Sequence, residues 1–149
     1  MLSNKQFYDV IEKTPLIAFD MLIYYKNKYL MGVRNNEPAM GYLFNVGGRI
    51  HKLETIEQAC KRLTKVELGI FIPFNRFEFH MNTQHIYENN VFNNETGTHY
   101  VCMCYKCELD EEEYDHINIA DQHSDCLWLT SDEILNNVNV HKNAKAYFN

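Results

Sequence analysis

The stretch that most constrains this chain is GGRIHKLETIEQACKRLTKVELGI, Gly47 to Ile70. Its two adjacent glycines follow a short run of strand formers, Tyr42 to Val46, and without side chains they let backbone approach a ligand or present a carbonyl to a metal. Thr55 with Gln58 three residues later reads as a capping box, which starts a helix ending near Leu68 with Gly69 as its stop. At roughly 100° per residue, Ile56, Ala59, Cys60, Leu63, Val66 and Ile70 form one apolar face of that helix. Glu67 falls inside the same face. A carboxylate aimed at a core is costly unless it is paired, hydrogen-bonded or metal-bound. Two readings stay open: a buried bridge to Arg62, or a helix that opens onto a site, which the neighbouring glycine pair favours.

The rest of the chain builds around this unit. Ser3 caps a first helix that runs to about Lys13 before Pro15. Leu16 to Tyr25 and Tyr29 to Arg34 read as a hairpin with one polar intruder, Asp20. Asn35 to Gly41 is a loop by composition, and a short strand from Tyr42 to Val46 ends at the glycine pair. Alternation at Phe77, Phe79 and Met81 marks another strand, Glu88 to Gly97 is an Asn-rich loop, and Thr98 to Cys107 alternates again. Asp110 to Asp115 reads as a solvated acidic turn, Cys126 to Leu129 as a last strand, and Thr130 with Glu133 as the box of a short helix. Strands dominate around one well-marked helix, so the class is α+β with a mixed sheet, in a single domain over residues 1–149.

Composition narrows the function. A net charge of −6 argues against a nucleic-acid or anionic-membrane surface, since both require clustered positive charge. The N-terminal residues lack an apolar core after a basic start, and the most apolar stretch is interrupted by Asp20, so a cytoplasmic protein is expected. Five cysteines are an odd number, best read as reduced thiols. Cys102 and Cys104 share a strand face at i, i+2, with no CxxC pair elsewhere, so small buried side chains explain Cys102, Cys104 and Cys107 better than zinc.

The Gly47–Ile70 stretch resembles the Nudix box, with Gly48, Glu54, Arg62, Glu67, Gly69 and Ile70 in register and two acidic positions replaced by Leu63 and Val66. A branch with this erosion is the GDP-mannose mannosyl hydrolases. To that branch the segments KTPL, EPAMGYLF, KRLTKVELG, QHIY, THYV, DQHSD, WLTSD and NVHKNAKAYF are similar in order along nearly the whole chain. Val46 stands where that family usually has a proline before the glycine pair, and Val33 where it has a lysine beside Arg34.

The resemblance implies a Nudix fold, a mixed β-sheet sandwiched between helices (α/β/α), and a homodimer. It implies hydrolysis of a GDP-sugar at the anomeric carbon with inversion, releasing GDP and free hexose. Attack at carbon needs fewer carboxylates than attack at phosphorus, because one cation on the diphosphate suffices to let it leave. His123 in DQHSD, between Asp121 and Asp125, is then the base for water. The carbonyl of Gly47, Glu67 and Gln122 resemble the family's ligands for one Mg2+, for which Mn2+ is an expected substitute, and Glu54 is read as a supporting carboxylate. Arg34, Arg49, Arg62 and the Tyr100 hydroxyl are expected on the diphosphate, and Asp20 and His85 on the sugar side. The rivals are a Nudix pyrophosphohydrolase cutting at phosphorus and a non-catalytic nucleotide-sugar-binding domain.

Overall fold

The computed structural model describes residues 1–117 and 123–149, with only the backbone of His123 and Ser124. Helix α1 (Asn4–Lys13) is capped by Ser3 in a full capping box with Gln6. It leads into β1 (Leu16–Tyr25), and a turn with Lys26 and Asn27 at positive φ returns the chain as β2 (Lys28–Arg34). β3 (Leu43–Phe44) and β4 (Val46–Arg49) follow, then α2 (Ile56–Leu68), capped by Thr55 with Gln58 and closed by Gly69 in the left-handed region at φ 74°. After a single 3-10 turn at Phe74–Arg76 come β5 (Glu78–Tyr87), β6 (Thr98–Glu108), α3 (Glu111–His116), β7 (His123–Leu129), α4 (Ser131–Asn136) and α5 (Lys142–Lys145). None of the described helices is long and apolar enough to cross a membrane.

The sheet forks, and the fork makes the site. β1 and β2 are antiparallel partners only near their turn, where Tyr24 faces Tyr29 and Tyr25 faces Lys28. Beyond it they diverge, and the chain crosses the gap: β3 pairs with β2 at Gly32 and Val33, and β4 pairs with β1 from Ala18 to Met21. The remaining edges continue the mixed sheet, with β6 parallel to β1, β5 antiparallel to β6 and β7 antiparallel to β2.

Alternation along β1 divides its side chains between two faces. Phe19, Met21 and Ile23 point into the main core with Val46 and with Cys60, Leu63 and Leu68 of α2. Ala18 and Leu22 face the other way and pack with Cys102, Cys104 and Tyr147.

Four expectations are corrected. The strand expected to end at the glycine pair is two strands, broken at Asn45, and the second runs through both glycines. Val66, expected on the inner face of α2, is 45% exposed, whereas Glu67 is buried. The acidic segment is helix α3 rather than a turn, because Asp110 and Glu113 form a capping box and Glu113 also holds Arg76 at 2.8 Å. β7 starts at His123, three residues before the expected strand, because β2 offers pairing positions as far as Arg34. The five cysteines are free thiols, as expected.

Candidate active site

A cavity of about 80 Å³ lies in the fork. β1 supplies Asp20, β2 supplies Arg34, and the β3–β4 crossing supplies Asn45 and Gly47 to Arg49. β5 and β6 add His85, Tyr100 and Cys102. Six of the sequence-derived candidates, Asp20, Arg34, Gly47, Arg49, His85 and Tyr100, therefore meet at one place. The arginines are held there by local contacts. Arg34 Nε donates to the Pro38 carbonyl at 2.8 Å, fixed by the loop that follows β2, and the Arg49 guanidinium stacks 4.3 Å over the Phe7 ring of α1.

At the floor, Asp20 is buried, and burial pushes its carboxyl up to about 6. The hydrogen bond from Tyr147 is the largest opposing influence, followed by Asn45 and the charge of Arg34. Tyr147 Oη donates to Asp20 Oδ2 at 2.5 Å. His85 is buried beside it, and burial, then the neighbouring His141, lowers its ring to about 4, so it is neutral at pH 7. Its Nδ1 lies 3.4 Å from Cys102 Sγ. Burial likewise raises the Tyr100 hydroxyl. Asn45 is buried with its Nδ2 on the Val46 carbonyl, and its Oδ1 has no hydrogen-bond partner among the described residues.

The glycine pair is required from both faces. A Cβ on Gly47 would sit 2.5 Å from Asp20 Oδ1 and 2.7 Å from the Phe19 carbonyl oxygen. A Cβ on Gly48 would sit 2.5 Å from Leu63 Cδ2 on the opposite side. The ladder shows what Gly47 keeps free. Ile50 N donates to the Ile17 carbonyl, so the bonded pairs of this antiparallel ladder alternate through Phe19 with Gly48, and Asp20 with Gly47 is a non-bonded pair. The Gly47 carbonyl is thus not spent on β1.

Helix α2 runs back along β4. Arg62 donates from Nη2 to the Arg49 carbonyl at 2.7 Å, Leu63 meets Gly48, and Glu67 lies one turn on, about 6 Å further along the axis, on the buried face. Glu67 and the Gly47 carbonyl are both oxygen donors, a set that fits a hard divalent cation in kind.

Arg62 does not join the cavity wall. Its Nε donates to Glu54 Oε1 at 2.7 Å and Nη2 to Oε2 at 2.9 Å, and Glu54 also accepts from the backbone of His51. This network, led by the Arg62 hydrogen bond, holds Glu54 well below the usual carboxylate range, at about 2. The geometry assigns Arg62 to fixing the β4–α2 loop. The bridge weighed between Arg62 and Glu67 is instead one between Arg62 and Glu54.

His123 enters through its backbone, which pairs with Arg34 at the rim. Gln122 and Asp121 lie outside the described residues. Sequence reasoning missed Asn45 and Tyr147. A buried asparagine between two strand runs was a signal in principle; Tyr147, in the last three residues, gave none.

The family model of the NUDIX domain matches residues 14–148. Low-salt glycan biosynthesis protein Agl8 of Haloferax volcanii is 30% identical over 116 residues, covering 77% of this chain and 70% of that protein. Among solved structures, MutT NUDIX hydrolase from Burkholderia pseudomallei superposes with a TM-score of 0.73 at 21% identity, covering 91% of this chain and 97% of that one. The NUDIX domain of Shewanella oneidensis NrtR, complexed with ADP ribose, does so with a TM-score of 0.64 at 18% identity, covering 98% and 96%. Nudix hydrolases typically use divalent metal ions. With the sheet, the glycine pair and helix α2 in place and the match spanning nearly its whole length, this chain belongs to the NUDIX family.

Proposed function

We propose that this protein hydrolyses a GDP-hexose of the GDP-mannose type at the bond between the anomeric carbon and the diphosphate. The observation that carries this reading is a contrast within one site. Leu63, at a box position that ordinarily bears a carboxylate, packs its Cδ2 against Gly48, so that position offers no oxygen with which to gather cations for attack at phosphorus. At the same time a buried carboxylate and imidazole line the cavity floor, where a sugar would lie. The glycan-related name of the Haloferax relative accords with this.

In the reaction, a water oxygen bonds to the anomeric carbon as the carbon–oxygen bond to the diphosphate breaks, and the electron pair leaves with GDP. His123 takes the water's proton. Asp20, when ionised, opposes the positive charge that grows on the sugar, and Tyr147 keeps its carboxylate aimed. Asn45 Oδ1 accepts a sugar hydroxyl, relieving a buried unpaired acceptor that costs about 1–3 kcal/mol. Arg34, Arg49 and the Tyr100 hydroxyl hold the diphosphate. Mg2+, or Mn2+ in its place, held by Glu67, the Gly47 carbonyl and Gln122, would supply charge that eases departure of the diphosphate.

Hydrolysis in heavy-oxygen water tests this. The label is expected in the free hexose, with inverted anomeric configuration. The rival is cleavage between phosphates, which the likeness to an ADP-ribose-bound domain favours, and it would place the label in a phosphate. A protein that only binds the nucleotide sugar would place it in neither. His123→Gln is expected to lower turnover by about 10²–10⁴ while sparing GDP-sugar affinity, and near-normal turnover would remove His123 as the base.

A further inference from the structure

Asp20, His85 and Cys102 come from three different strands, β1, β5 and β6, yet each offers a ligand atom, and these atoms all lie within 4.8 Å of one another. All three side chains are buried, and all three line the cavity, so the cluster has an entrance. Cys102 meets both of the others: its Sγ is 3.4 Å from His85 Nδ1 and within 4.8 Å of an Asp20 carboxylate oxygen. Around a tetrahedral zinc with bonds of 2.0–2.3 Å, neighbouring ligand atoms are about 3.3 to 3.8 Å apart. The sulfur–nitrogen spacing already meets that requirement.

We propose that Asp20, His85 and Cys102 form a site for a zinc-class divalent cation at the cavity floor, built from a different donor set than the magnesium donors Glu67 and Gly47. The donor chemistry divides the two. Oxygen donors alone suit magnesium, whereas a thiolate, an imidazole and one carboxylate are the mixed, softer set that selects zinc or cobalt. Three protein ligands leave a fourth position facing the cavity, open to water or to a ligand hydroxyl. The hydrogen bond from Tyr147 to Asp20 Oδ2 holds the carboxylate in place from behind. Coordination displaces the thiol proton to solvent, and no other bond changes. A small core cysteine would account for burial alone. It would not account for a carboxylate and an imidazole both converging on the sulfur.

A filled site also takes Asp20 and His85 out of catalysis, so zinc inhibits hydrolysis in excess magnesium. That consequence rests on the roles proposed for these residues above; occupancy itself does not.

The probe is Co2+, titrated into the metal-stripped full chain in excess Mg2+. One equivalent is expected to produce a thiolate-to-cobalt charge-transfer band and the visible spectrum of a tetrahedral ion, both bleached by Zn2+. Cys102→Ser should abolish the charge-transfer band while Cys104→Ser keeps it. Tyr147→Phe should weaken zinc affinity by about tenfold or more. If Cys102→Ser does not fold by circular dichroism, His85→Asn, which leaves the thiol in place, should weaken zinc affinity by about tenfold or more. Absence of the band in the wild-type chain, its survival in folded Cys102→Ser, or unchanged affinity in His85→Asn would overturn the proposal. A chain that binds cobalt through Cys102 but puts no heavy oxygen into hexose would keep this site and lose only the function proposed above.

Discussion

Gly47 and Gly48 are neighbours in sequence, but they face two differently built regions. Behind Gly48 lies the α2 face, where Leu63, Cys60 and Leu68 fill an apolar core and Glu54 with Arg62 locks the connecting loop. Behind Gly47 lies the cavity floor, where Asp20, Asn45, His85, Cys102 and Tyr147 bury polar groups against one another. The first region is made mostly of residues within twenty positions of each other and serves to hold β4 in place. The second is drawn from β1, β5, β6 and the last residues of the chain, and carries the unsatisfied and shifted groups that chemistry requires. The apolar core and most of the buried polar groups thus lie on opposite sides of a single strand.

The sharpest break of this division is Asp20→Asn. On the cavity side it should lower turnover by about 10²–10³, the usual loss when one preorganised electrostatic group is removed, with little change in KM. Glu54→Gln, on the other side, should leave the chemical step far less affected and show itself as a lower midpoint in urea. A comparable fall in turnover for both would erase the distinction.

Next in size is the effect of pH on stability. Asp20 titrates at about 6 in the folded state against 3.8, so its contribution is present below pH 4 and is lost as pH rises through 6. His85 titrates at about 4 against 6.5, so its contribution is present above pH 6.5 and is lost as pH falls through 4. The two oppose each other over the same window, each by about 3 kcal/mol at most. Urea midpoints of the wild-type chain between pH 4 and 6.5 should therefore vary little on their account. Asp20→Asn should expose a rise in stability with pH, and His85→Gln a fall. Parallel slopes in both variants would show that the floor is not the polar, buried region described.

Legibility in the sequence follows the same division. Helix α2, its cap at Thr55 and its stop at Gly69 rest on local hydrogen bonds, so the spacing alone declares them. Glu67 and Asp20 were visible as misfits in apolar runs, and both are buried. The box at Asp110 and Glu113 carried the same signal as Thr55 and Gln58, but the acidic run around it masked the helix. Val66 was placed inward by the angle alone, yet its side chain is exposed. His85 and Tyr100 were singled out by resemblance, since no local rule marks a histidine in β5 that faces Asp20 across β6. Cys102 was read as filler, because a strand pattern shows which face a side chain takes but not what it meets there.

The glycines themselves test the two faces directly. Gly47→Ala should cost about 3 kcal/mol, since the added methyl meets the rigid Phe19 carbonyl as well as Asp20. Gly48→Ala should cost about 1 kcal/mol, since its obstacle is the mobile end of Leu63. Equal losses in urea unfolding would mean that both faces are equally rigid.

Tyr147→Phe isolates one contact on the cavity side. The phenyl ring keeps the packing against Leu22 and Cys104, so only the hydroxyl is removed. The net loss in stability is that of one hydrogen bond to a carboxylate, about 1–2 kcal/mol. That same bond holds Asp20 below where burial alone would place it. Without it, Asp20 should titrate above 6, and the acidic limb of the pH–rate profile should move upward while the plateau rate changes less. Asp20 acts as an ionised group in the proposed reaction, so activity would then be lost at a higher pH. An acidic limb that stays in place would detach Tyr147 from Asp20, leaving the C-terminal segment as packing only.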